Sequence, residues 1–257
     1  MSGRYSIWAI ILLIVQCSSF FDKRTDLEKA VDHYQEHDLE KAVQYFKKYY
    51  KENPSSGTVL YYLHDCYKKM GDTYACVDIL ERLVDLNTKD VQVYVALYVH
   101  YHSMMQYDDL YAVLISAPQS VLADFNRRFV VTRELYTKLI VGALGVSAAY
   151  KDPIWYATVN NYIPVFLDGM FYEEDRITMG NLIIMNDRLM PPSYPGHFYP
   201  TQHISDHSFL YLPYMRLIDK KIIPYDKNLD PNAPVPLSLA MQVIKNMKQG
   251  GYFDQDR

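Results

Sequence analysis

The sequence predicts an all-α protein in two parts, a helical hairpin array followed by a helical bundle. Three observations predict it. Apolar side chains return every 34 residues through the first half. Apolar runs of helical length, each opened by an Asp or Thr cap or a proline-rich loop, recur through the second. Glycine is sparse and tyrosine abundant, at 10 and 25 residues of 257, a mix that suits packed helices and argues against disordered chain. With 49% apolar residues the chain can build a sizeable core. A formal net charge of -4 predicts no general affinity for nucleic acid.

Residues 1–16 read as a signal or anchor segment. Arg4 is the only charge before Asp22, and an apolar run extends from Ile7 to Val15. That run is too short to span a bilayer, which needs about 20 residues. A charge followed by a short apolar core is the layout of a secretory signal. Cys17, Ser18 and Ser19 follow, resembling the end of a bacterial lipoprotein signal, whose cysteine is lipidated; Gln16 departs from the small residue usual there. A lipidated Cys17, an uncleaved anchor and an ordinary cleaved signal all export the chain. Residues 17–25 would be a tether. An exported chain could join Cys66 to Cys76. The plainer reading is that the two small side chains fill a helix–helix contact.

The first half repeats. Asp38, Ala42, Phe46 and Tyr49 recur 34 positions later as Asp72, Cys76, Leu80 and Leu83, and again as Gln106, Leu110, Leu114 and Ala117. Leu60, Leu63 and Tyr67 recur as Tyr94, Leu97 and Tyr101. Offsets of three and four place each set on one helix face. Two amphipathic helices per 34 residues resemble the tetratricopeptide repeat family. About three repeats would fill residues 26–118. Lys29 stands where the first repeat needs an apolar residue, and Met105 replaces the turn glycine of the third. The resemblance implies a concave groove lined by the first helices, with Tyr34, Tyr61, Asp65, Lys68, Val95, Val99 and His102 facing it. Such a groove suits a peptide or helix of a protein partner. The alternative is a spacing element whose groove stays empty.

From Ser120 the period stops. Thr132 reads as an N-cap, with Glu134 in the first turn of a helix running to Leu144. Asp152-Pro153 opens another helix. Ile177-Thr178-Met179-Gly180 leads into an apolar helix from Asn181 to Met190. A helix ending at Asp219, the turn Lys220-Lys221-Ile222-Ile223 and the loop Pro231–Pro236 then lead into Leu237–Met247. Trp155 and Phe209 are 54 residues apart, and Ile177 and Val235 are 58 apart. This block, within an expected module at 119–250, resembles the S-layer homology family, whose units have capped aromatic helices, a Gly-Ile-Ile-type turn and a Thr-Arg-Ala-Glu opening. Thr132-Arg133-Glu134 keeps the threonine and arginine; Met179 and Leu237 replace the arginine in the later copies. The resemblance implies attachment to peptidoglycan or another wall polysaccharide, with Arg133 gripping an acidic group and Trp155 stacking on a sugar. The plainer readings are a surface ion pair for Arg133 and core packing for Trp155. Residues 251–257 would be a tail.

No phosphate-cradling glycine loop, nucleophile elbow, Cys-x-x-Cys pair or His-Glu-x-x-His helix occurs. His197, His203, Asp206 and His207 are the best metal candidates, yet they sit among prolines and aromatics and read as loop histidines. Glu173-Glu174-Asp175 lacks the alternation of a calcium loop. His100 and His102 point to different faces. The expectation is a non-enzymatic scaffold of the cell envelope, without a cofactor, anchored to a membrane and facing the periplasm. Wall-glycan binding is the first alternative. An overlooked metal-dependent site within Pro191–His207 is the second.

Overall fold

The computed structural model describes residues 25–253 except 148, 150, 151, 166 and 167. Among the described residues lie 12 α-helices and no strand, as the sequence predicts. Cys17 and the apolar run before it fall outside the described residues. The chain divides into two compact units, up to Leu86 and from Asn87 onward.

The first unit holds α1 (Asp26–Gln35), α2 (Leu39–Glu52), α3 (Gly57–Met70) and α4 (Thr73–Asp85), each packed on the next. Thr25 and Glu28 form a capping box at the start of α1. The Asp38 and Asp72 carboxylates accept from Lys41 N and Ala75 N, capping α2 and α4. The turn between paired helices needs a left-handed residue. His37 supplies it at φ 62° and Gly71 at φ 76°. After each, the next amide reaches back into the preceding helix: Asp38 N donates to His33 O at 2.9 Å and Asp72 N to Tyr67 O at 3.0 Å. Met105 takes the same conformation at φ 58°, and Gln106 N donates to Tyr101 O at 2.9 Å. The third turn thus keeps its geometry without glycine, at a cost of about 1 kcal/mol.

Ala30, Ala42, Phe46, Leu60, Leu63, Leu80 and Leu83 form the core of this unit. Phe46 stacks on Tyr62 at 5.0 Å, and its burial contributes about 2–3 kcal/mol. Cys66 and Cys76 are buried free thiols on α3 and α4, packing as small side chains. Burial pushes the Cys66 thiol up to about 11, so it is chemically quiet.

The second unit holds α5 (Val91–Ser103), α6 (Tyr107–Ser116), α7 (Gln119–Arg128), α8 (Arg133–Leu144), α9 (Pro153–Val159), α10 (Met179–Asp187), α11 (Tyr211–Asp219) and α12 (Leu237–Gln249). Its axis is α8, buried at every position from Leu135 to Ala143 and packed by α6, α9 and α12. The buried polar groups of α8 are paired: Thr137 Oγ1 donates to Arg133 O, and Lys138 pairs with Glu134. The α5–α6 hairpin falls in this unit, ahead of the boundary expected after residue 118. Its apolar face is covered by α7, α8 and α12.

The starts of α8 and α10 are built alike. Thr132 and Thr178 accept from Leu135 N and Asn181 N as N-caps. The next two amides of each helix donate to carbonyls of a later loop: Arg133 N to Asp175 O and Glu134 N to Glu173 O; Met179 N to Ala233 O and Gly180 N to Pro231 O. Ile177 N donates to Val131 O, and Val235 N to Ile177 O. At α12 no later loop does this, and the Asn126 side chain accepts from Ser238 N instead, at 3.2 Å. Donors that a helix leaves unpaired at its start are thus taken up by loop carbonyls at α8 and α10 and by an amide side chain at α12. The turns repeat too: Asn161 and Lys221 are left-handed at φ 58°, ahead of buried Ile163 and Ile223.

Candidate functional site

The residues expected in the groove differ in exposure and fall in both units. In the first unit Tyr34 Oη donates to Asp65 Oδ2 at 2.6 Å and accepts from Lys69 Nζ at 2.7 Å. Lys69 also pairs with Asp65 at 2.7 Å. Lys69 and Tyr34 together hold the Asp65 carboxyl below its usual range. Lys69 was not foreseen, although its spacing of four from Asp65 on a helix is the signal for such a pair. Tyr61 and Lys68 are exposed on α3.

In the second unit Val95 is half-buried and Val99 exposed. His102 is engaged inside the unit. Its Nε2 lies 3.0 Å from Lys138 Nζ, and Lys138 closes a tight ion pair with Glu134. The ammonium also stands over the Tyr107 ring at 5.3 Å, and Tyr98 stacks on the imidazole at 5.8 Å. For the lysine to donate, the imidazole must be neutral. Burial, then the Lys138 charge, lower the His102 pKa. The sign follows directly: the unfolded histidine takes up a proton near pH 6.5 before the folded one does. Stability of the second unit should be level above about pH 7 and decline as pH falls through 6.5. Denaturant titrations between pH 7.5 and 5.5 check it: His102→Gln should flatten the slope, and an unchanged slope would remove the assignment.

Arg133 is not the surface residue of its plainer reading: it is only 4% exposed. Its Nε donates to Phe171 O at 2.7 Å, a terminal nitrogen donates to Pro164 O, and its guanidinium lies 4.8 Å from the Phe171 ring. Arg133 thereby fixes the loop after α9. It also lines a cavity of about 450 Å³ shared with Pro164, Thr178, Asn181, Met185, Phe209 and Asn232. The walls are mostly apolar, with amide, hydroxyl and guanidinium groups at a few points, which is the make-up of a small-ligand cleft. Phe209, 79% exposed, stands at its edge. Thr132 is the half-buried cap of α8 and is not among the cavity's lining residues. Trp155 is 55% exposed, so core packing does not describe it, and it too lies apart from the cavity walls. No periodic signal reveals the cavity, because α8, α10 and three loops meet there from distant parts of the chain.

Among the described residues no three His, Cys, Asp or Glu side chains gather as a metal site. His197 pairs with Asp219, and His203 and His207 are exposed. The side chains of Glu173, Glu174 and Asp175 are exposed, while two of their carbonyls serve the start of α8. No described helix is long and apolar enough to cross a membrane.

Comparison with protein families bears on one stretch of the first half. Residues 33–98 match the tetratricopeptide repeat family. The match spans the second hairpin with the helices beside it, including the turns at His37 and Gly71 whose geometry repeats. No curated protein and no solved structure matches the chain. Tetratricopeptide repeats are protein-binding modules, so the array is suited to hold a protein partner.

Proposed function

We propose that this chain is a non-catalytic scaffold of the cell envelope, whose tetratricopeptide repeats hold a helix or extended peptide of a protein partner. The family match over residues 33–98 carries the reading. Exposed Tyr61 and Lys68 offer the partner an aromatic surface and a charge on α3, the helix that lines the groove in such repeats. Cys17 anchors the chain to a membrane through lipid, the second half rests on wall polymer or on another protein, and the assembly faces the periplasm. Affinity capture from envelope extracts tests the central claim. The wild-type chain should retain one stable partner, and Tyr61→Ala with Lys68→Glu should release it; equal retention by both refutes groove binding. Mass spectrometry of the mature N-terminus tests the anchor, since an unmodified Cys17 would exclude it.

The second reading, wall-glycan binding by an S-layer homology-like module, is favoured by the cavity at Arg133. A buried guanidinium beside amides suits an acidic sugar, and Phe209 offers a ring to stack on. Because Arg133 also holds its loop, Phe209→Ala and Asn232→Ala are the better probes. Both should lower co-sedimentation with purified sacculi while leaving the melting temperature unchanged. Absence of any co-sedimentation by the wild type removes this reading.

A further inference from the structure

Within the first unit a second cleft lies between α2 and α4, away from α1 and the Tyr34–Asp65–Lys69 network. Its volume is about 480 Å³. The floor is apolar and aromatic: Leu63, Tyr67 and Ile79 are all buried. The rim is charged and mostly cationic. Lys47 and Lys51 stand on α2, one helical turn apart, and Arg82 faces them from α4. Asp78 is the one carboxylate among the lining residues, and it already pairs with Arg82 at 3.1 Å. Three cations and one anion leave a local excess of positive charge, on a chain whose formal net charge is -4.

Lys47 shows how the cleft is organised. Its ammonium lies 5.4 Å from the centre of the Tyr67 ring, so the cationic rim and the aromatic wall meet at this point. An occupant must therefore answer two surfaces. A small inorganic anion would meet the rim and make no use of the aromatic wall at Tyr67. A purely apolar group would fill the floor and leave the cations unanswered. An apolar side chain flanked by carboxylates answers both, with the side chain below and the acids on Lys47, Lys51 and Arg82.

We propose that this cleft binds an acidic peptide segment carrying one large apolar anchor residue. It is a binding site separate from the repeat groove and stands whether or not the groove is occupied. The test uses the full chain and a fluorescein-labelled peptide in which a phenylalanine is flanked by two aspartates and two glutamates. Fluorescence anisotropy should show saturable binding that weakens steadily from 50 to 300 mM salt. Lys47→Glu with Lys51→Glu reverses two exposed charges outside the core and should weaken it at least tenfold. Tyr61→Ala with Lys68→Glu, on α3, should leave it unchanged. Replacing the phenylalanine by glycine, or the acids by lysine, should abolish binding. The proposal is overturned by no binding, by loss in the Tyr61/Lys68 variant with retention in the Lys47/Lys51 variant, or by equal binding of the glycine peptide. Displacement by equimolar inorganic phosphate also overturns it, because the site would then be one for a small anion only.

Discussion

Gly142→Ala should lower the thermal midpoint of the second unit by about 4–8 °C, although alanine is the better helix former. Gly142 lies on α8, where the first turn of α6 presses against it. A methyl group built there would meet the Tyr107 carbonyl oxygen at 2.0 Å and its carbon at 2.6 Å. Both are backbone atoms, so no rotamer change relieves the clash. The α6 start cannot move away cheaply, because Asp108 N donates to Ser147 Oγ and Ser147 N to Asp108 Oδ1, tying the two segments. Overpacking of this kind costs about 3 kcal/mol. Against that stands a gain of about 1 kcal/mol from helix propensity at most. The two effects have opposite signs, so circular dichroism melting decides between them. A midpoint that rises would mean that α6 does not rest on α8.

That contact also explains why one part of the architecture was legible in the sequence and another was not. The 34-residue return of Leu60, Leu63 and Tyr67 as Tyr94, Leu97 and Tyr101 is a local signal: each helix shows its own buried face. The register even locates the left-handed turn at Met105, which composition alone would not suggest. Which helices cover the third hairpin is a different kind of fact. It depends on α8, α7 and α12, and nothing in the spacing of α5 and α6 names them. The hairpin thus reads as the last repeat of an array while its apolar face belongs to the second unit's core.

The candidate sites follow the same division. Tyr61 and Lys68 were found from register and are exposed. Tyr34 and Asp65 were also found from register, but their mutual tie through Lys69 needed coordinates. Arg133 was singled out for its place after Thr132, and its carbonyl partners lie 31 and 38 residues onward in irregular loops. Its burial was therefore invisible to any periodic argument. So was the neighbour of His102, since Lys138 approaches from 36 residues away.

The same limit concealed the most exacting polar contact in the second unit. Asn186 on α10 is fully buried, as is Tyr136 on α8. Asn186 Nδ2 donates to Tyr136 Oη at 2.8 Å and to Leu182 O at 2.7 Å. Burial also drives the Tyr136 pKa far above the ordinary phenol range, so the hydroxyl stays protonated. Asn186→Leu keeps the volume and removes the amide, leaving a phenol oxygen in a dry core. Tyr136 Oη also donates to Asn186 Oδ1 at 3.0 Å, so we expect a loss of about 2–4 kcal/mol, from one stranded hydroxyl and three lost hydrogen bonds. Tyr136→Phe should cost about 1–3 kcal/mol, because it strands the amide in turn. Both together should cost less than the sum of the two single changes, since the second change removes the group that the first left stranded. Urea unfolding of the four proteins closes this cycle. Strict additivity would show that the two side chains do not satisfy each other, and that α8 and α10 are held in register by apolar packing alone.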